Sequence, residues 1–234
     1  MSWSEPTRQD RHPAPDRRLR LAVLASGNGS NLQALIDGSQ RGEIQADIAL
    51  VVSNKPAAYA LERARVAGIA TRVLLPAEFP DREAYDRALA EVLEQAQIGL
   101  VVLAGYMRLL SPGFIQRFSQ RIMNIHPALL PAFPGLHAPR QALEYGARFS
   151  GCTVHFVDEG MDTGPIIAQA VVPVAPEDDE DSLTARIQQQ EHRLYPLAVN
   201  LFAKGQLQVA GRRVLLNGPC PPLPVAVCFP AMTG

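Results

Sequence analysis

At 234 residues, with 47% hydrophobic and 19% charged side chains, the chain has the make-up of one globular domain, or at most two small ones. Lys plus Arg number 22 against 23 for Asp plus Glu, so no global field gathers nucleic acid or an anionic membrane. Any bound anion must be held by a local site. No apolar run approaches the ~18 residues of a membrane span. Residues 1–18 mix prolines with Glu5, Asp10 and Asp16 and lack the apolar core of a secretory leader, so a disordered extension is expected there. Cys152, Cys220 and Cys228 form no CxxC pair, which fits reduced thiols in a cytoplasmic protein.

Leu19 to Ala25 reads as a compact apolar strand, Ser26-Gly27-Asn28-Gly29-Ser30-Asn31 as a Gly-rich turn, and Leu32, Leu35 and Ile36 recur at helical spacing. A strand is predicted over Ile48 to Val52, a helix over Tyr59 to Ala67 and a short extended run over Ile69 to Leu75. Asp81 to Gln95 sets Tyr85, Leu89, Val92 and Leu93 on one side of an amphipathic helix. Gly99 to Ala104 is continuously apolar, as in a strand buried on both faces of a parallel sheet. A short helix over Pro112 to Phe118 leads into the apolar run Ile122 to Ile125. That strand should stop at His126, because Pro127 cannot donate to a sheet ladder and disfavours helix for the residue before it. Beyond Pro139 the pattern gives a short helix over Arg140 to Tyr145 and strands over Cys152 to Val157 and Ile166 to Val174. A long helix over Ser182 to Lys204 and a hairpin near Leu207 to Leu216 follow. The acids Glu177 to Asp181 need no function, since solvated carboxylates suit a helix's positive N-terminus.

This alternation predicts an α/β fold: a doubly wound, mostly parallel sheet with helices on both faces. One domain is expected over 19–216, followed by an irregular, proline-rich tail at 217–234. Ligands of such sheets sit at the carboxyl ends of the strands, so the Gly-rich turn, the Gly105 to Leu110 segment and Asn124 with His126 should share a cleft.

The turn Gly27-Asn28-Gly29-Ser30-Asn31 follows a strand and opens a helix, where free N–H groups and the helix dipole favour phosphate. No Gly-Lys-Ser/Thr follows, so it is not a P-loop, and Leu32 occupies the third glycine position of a dinucleotide fingerprint. A phosphate monoester is the reading preferred over a turn with glycines for geometry alone. Met107, Leu109 and Leu110 could line the faces of a flat heteroaromatic ring, or simply pack into the core. Asn124 and His126, two apart on a strand, project to one face and could both bond an oxygen that becomes negative; local spacing alone favours a structural histidine. Asp162, between Gly160 and Gly164, is either a turn residue or a carboxylate that favours a charged His126. His137 and His155 invite a metal reading with His126 and Asp162, but no spacing matches a zinc pattern and no metal is assigned. A serine hydrolase lacks its Gly-x-Ser-x-Gly elbow.

Taken together, Ser26 to Gln33, Phe79 to Tyr85 around Arg82, Gly105 to Leu110, Asn124 to Pro131, Pro134 to His137, Thr153 to Val157, Asp162 to Pro165 and Gln190-Glu191-His192 resemble the folate-dependent phosphoribosylglycinamide formyltransferase family of purine synthesis. The match spans about Leu19 to Leu216. The resemblance implies transfer of a formyl group from 10-formyltetrahydrofolate to the amine of glycinamide ribonucleotide. Gly29, Ser30 and Asn31 would hold the phosphate and Glu191 the ribose hydroxyls. Arg82, Met107, Arg108, Leu109, Leu110, Asn124 and the Asp158 to Asp162 loop would serve the folate. Asn124, His126 and Asp162 match the catalytic trio, with attack through a tetrahedral oxyanion and neither metal nor covalent enzyme intermediate. Tyr106 stands where the family often has Phe. The implied partners are the two small molecules, without nucleic acid or membrane, for a monomer or homodimer.

The alternatives are a formyltetrahydrofolate deformylase, another formyltransferase, or a binding protein that keeps the phosphate turn without catalysis. A deformylase of this type would carry an extra N-terminal domain, and an enzyme acting on tRNA a further basic one. A binding protein would not require the trio.

Overall fold

A computed structural model of the chain describes residues 18–218. The expected N-terminal extension and proline-rich tail lie almost wholly outside these residues. Nine strands form one sheet in the order β3-β2-β1-β4-β5-β6-β7-β9-β8. The strands are β1 Leu19–Ala25, β2 Ala46–Ser53, β3 Thr71–Val73, β4 Leu100–Leu103, β5 Ile122–His126, β6 Phe149–Phe156, β7 Ile166–Pro173, β8 Leu207–Ala210 and β9 Arg213–Leu216. The first five pair in parallel. From β5 onward the sheet is mixed: β5–β6, β6–β7 and β8–β9 are antiparallel, and β9 meets β7 in parallel at Ile166 and Arg213.

Burial of both sheet faces explains the continuous apolar runs. Leu21, Val23 and Ala25 of β1 with Leu100 and Val102 of β4 belong to one core, under α1 (Ser30–Gln40), α2 (Tyr59–Val66) and α6 (Glu180–Ala203). Ala22 and Leu24 with Val101 and Leu103 belong to the other, under α3 (Arg82–Gln95) and α4 (Pro112–Arg117). A further helix, α5 (Ala138–Tyr145), contributes Ala142 to the first core. Tyr195 of α6, fully buried, sets its hydroxyl 2.9 Å from the carbonyls of both Leu103 and Met123, which ties α6 to the ends of β4 and β5. No helix among the described residues is long and apolar enough to cross a membrane.

Two expectations change. The run at Ile69 to Leu75 yields only the exposed three-residue edge strand β3. The acids before α6 are not all solvated: Asp178 has a side chain only 3% exposed, paired with Arg186 at 2.5 and 2.8 Å. That guanidinium holds the Asp178 carboxyl well below the usual range. Asp179 instead caps the helix reciprocally with Ser182.

Candidate active site

The sheet reverses strand order between β1 and β4, and the segments after β1, β4 and β5 meet at the carboxyl ends of those strands. Ser26, just beyond β1, joins two of them. Its amide donates to Gly105 O at 3.1 Å, and its hydroxyl accepts from Met107 N at 2.9 Å while donating to Asn54 Oδ1 at 2.6 Å.

Gly29 is the N-cap of α1 at φ 77°, with no side-chain cap, so the first amides of that helix remain available for an anion. Asn31 is partly committed elsewhere. Its Nδ2 donates to Glu191 Oε2 of α6 at 2.8 Å, while its Oδ1 is buried without a partner. The Asn31 side chain, expected to add a donor to a phosphate, is thus turned to Glu191, and its backbone amide is what the helix start offers an anion. Glu191 is 5% exposed, and burial raises its pKa despite the bond from Asn31.

After β4, Met107 and Leu109 are 62% and 60% exposed, which leaves two large apolar groups open beside the cleft. Leu110 differs from expectation: it is buried in the core under α3 and α4, which leaves only its backbone for a ligand. Asp86 of α3, 1% exposed, accepts Ser111 N at 2.5 Å and anchors the end of this segment. Arg108 lies with its guanidinium 4.5 Å from the Tyr85 ring, its Nε buried and unpartnered. The Tyr106 hydroxyl, unplaced by sequence, lies 3.1 Å from that of Tyr85. Arg82 sits exposed at the start of α3, 3.5 Å from Glu83.

On β5, Met123 and Ile125 point into the first core, which sends Asn124 and His126 to the other face. His126 is 4% exposed, and both its nitrogens face oxygen. Nε2 donates to Phe133 O at 2.8 Å, and Nδ1 lies 3.5 Å from Asp162 Oδ2. A substrate oxygen served by His126 would have to take the place of the Phe133 carbonyl. Asp162, at φ 54°, also accepts Gly135 N at 2.8 Å. Its other oxygen lies 3.7 Å from His155 Nε2. His155 stands directly across the β5–β6 ladder from Asn124. Its Nδ1 faces the Phe156 carbonyl at 2.9 Å; a carbonyl can only accept, so the proton sits on Nδ1 and Nε2 accepts from Asn124 Nδ2 at 3.2 Å. Burial lowers the His155 pKa and keeps this ring neutral.

A phosphate-type helix start, an apolar shelf and an Asn-His-Asp cluster thus share one sheet end. The formyl transferase family model matches residues 19–199. Escherichia coli K12 phosphoribosylglycinamide formyltransferase is 50% identical over 200 residues, covering 86% of this chain and 94% of that protein. The chain belongs to the phosphoribosylglycinamide formyltransferase family. The solved glycinamide ribonucleotide transformylase 1 of Symbiobacterium toebii superposes with a TM-score of 0.85 at 52% identity, over 86% of this chain and 95% of that one. The trifunctional purine biosynthetic protein adenosine-3 of Drosophila melanogaster is 53% identical over 191 residues, which are 81% of this chain but only 14% of that protein. Its resemblance concerns one segment.

Within this formyltransferase fold, the structure brings Asn124, His126 and Asp162 together, and Asn31 to Glu191. His137 stands apart from them, 3.6 Å from Glu180. Sequence reasoning missed Ser26 as the link between turn and shelf, and His155 as the partner that orients Asn124. The alternation Thr153-Val154-His155 could have flagged His155, but only with the β5–β6 register in hand.

Proposed function

We propose that this formyltransferase moves a formyl group from 10-formyltetrahydrofolate to the amine of glycinamide ribonucleotide. The observation that carries the reading is the approach of Asp162 to His126 at 3.5 Å, beside Asn124 and at the same sheet end as the uncapped start of α1. The helix start suits a phosphate, and Glu191 suits ribose hydroxyls. The exposed faces of Met107 and Leu109 fit a flat ring, and the family resemblance adds Arg82 and the Asp158 to Asp162 loop as further folate contacts. The folate supplies the activated formyl carbonyl.

The substrate amine attacks the formyl carbon, and the formyl oxygen gains negative charge as the new carbon–nitrogen bond forms. Asn124 Nδ2, oriented by His155, and His126 Nε2 donate to that oxygen; one such donor is worth about a hundred- to a thousandfold in rate. Asp162, 3.5 Å from His126 Nδ1, orients that ring and, through water, helps pass the proton lost by the amine to the departing folate nitrogen. Protons and formyl group balance without a metal or a covalent enzyme bond.

An absorbance assay of folate conversion, run with and without glycinamide ribonucleotide, tests the reading. Conversion should require the amine, and His126→Ala and Asp162→Ala should each lose at least about a hundredfold in kcat while still binding glycinamide ribonucleotide. Turnover without the amine would make the protein a deformylase. Wild-type turnover by either variant would remove that residue from the chemistry.

A further inference from the structure

Helix α2 holds every residue of the Gly27-Asn28-Gly29 turn. Ala60 N donates to Gly27 O at 3.1 Å. A Cβ on Gly29 would lie 2.7 Å from Ala60 Cβ, so the start of α2 packs against the turn with no room for a side chain there. Three residues along the same helix face, Arg63 grips the remaining residue twice: Nε donates to Asn28 O at 2.9 Å and Nη2 to Asn28 Oδ1 at 2.7 Å. Its Nη1 reaches Gln33 Oε1 of α1 at 3.1 Å, and the guanidinium stacks 4.8 Å from the Tyr59 ring. The guanidinium therefore joins α2, the turn and the helix whose first amides are left free by the uncapped start.

A turn that binds phosphate through backbone amides works only if those amides are aimed before the ligand arrives, and two glycines make that costly. A planar fork that takes both the backbone and side-chain oxygens of one residue fixes its orientation, which a lysine ammonium cannot do. Arg63 also supplies positive charge beside the turn. The nearby His192 of α6 does not: burial, and then the Arg63 charge, lower its pKa.

We infer that Arg63 is a positioning residue for phosphate recognition, holding the turn through Asn28 in the conformation that binds the substrate's phosphomonoester. The inference rests on the phosphate reading of this turn.

The test uses the full chain and its variants Arg63→Lys, Arg63→Ala, Asn28→Ala and the double variant. Steady-state kinetics are measured with glycinamide ribonucleotide, with its dephosphorylated form, and with inorganic phosphate as inhibitor. Wild type should prefer the phosphorylated substrate; equal KM values for the two would overturn the phosphate reading and this inference with it. Given that preference, both Arg63 variants should raise KM for the phosphorylated substrate about tenfold or more, the equivalent of one lost charge-assisted hydrogen bond. The phosphate inhibition constant should rise by a similar factor. The folate KM, kcat at saturation and the dephosphorylated KM should stay within about twofold, since only turn positioning is lost. The double variant should be no worse than Arg63→Ala alone, because Asn28→Ala removes one of the two bonds that Arg63→Ala already removes. If Arg63→Ala does not fold, Arg63→Lys and Asn28→Ala decide. Wild-type phosphate discrimination in both, or a loss confined to kcat, would overturn the role of Arg63.

Discussion

Glu191 shows what the site costs at the level of a single side chain. It is 5% exposed with one bond, from Asn31, and burial raises its pKa. A carboxyl whose folded pKa exceeds its unfolded one penalises stability as pH rises past the unfolded value of about 4.3, and the penalty is complete above the folded pKa. Glu191→Gln keeps an acceptor for Asn31 without the charge. It should therefore melt a few degrees higher at pH 7, and the gap should close as pH falls below about 4. On the proposed role of Glu191 at the ribose hydroxyls, the same variant should raise KM for glycinamide ribonucleotide about tenfold, since a neutral acceptor makes weaker bonds than a carboxylate. Melts across pH check the first expectation; a variant that melts lower at neutral pH would show the buried charge to be well solvated by its surroundings. Sequence reached Glu191 only through the resemblance, since a glutamate in a helix carries no mark of its burial. Asn124 and His126 were legible because Pro127 marks the end of their strand. His155 was not, since its contact with Asn124 depends on a pairing across 31 residues.

Among the elements, the β8–β9 hairpin reaches beyond the family match, which ends at residue 199, and touches the loop that carries Asp162. Arg212 in its turn donates to Thr163 O at 2.9 Å. The loop is otherwise braced from within: Asp158 Oδ1 accepts from Thr163 Oγ1 at 2.6 Å and from Gly160 N at 3.2 Å. A Cβ on Gly164 would collide with Phe156 O, so glycine is required there. Arg212→Ala should speed amide exchange over 158–165 and raise the folate KM about two- to fivefold, while an exposed single bond worth ~1 kcal/mol or less leaves the melting temperature nearly unchanged. Unaltered exchange in that loop would show that the hairpin does not brace it. The hairpin was readable from its spacing, as were the parallel strands, whose unbroken apolar runs follow from burial on both faces. Its docking beside β7 and the antiparallel turn of the sheet after β5 were not, because local pattern does not encode strand neighbours. Asp178 shows the same limit: it read as one solvated acid among several, and only the fold places Arg186 against it.

For the molecule as a whole, the site depends on one sheet shared by two cores. β4 and β5 place Leu103 and Asn124 side by side, and they contribute alternate residues to the cores above and below. A change at their carboxyl ends should thus be felt by both faces at once. Tyr195 is the place to make it, because its buried hydroxyl lies 2.9 Å from the carbonyls at Leu103 and Met123, the residue just before Asn124. Tyr195→Phe preserves the ring and its packing but leaves those carbonyls without that donor, at an expected cost of about 1–2 kcal/mol. For a chain of this size the melting temperature should fall about 2–8 °C. Far-UV dichroism, which follows the helices over both cores, and near-UV dichroism, which in this variant follows Tyr85 in the second core, should shift together in one transition. Two separated transitions would mean that the cores unfold independently and that the sheet does not couple them. Because the phenylalanine ring still fills the same space between α6 and the sheet, kcat should fall less than about threefold, leaving a stability defect at the strand ends without displacement of the groups that they carry.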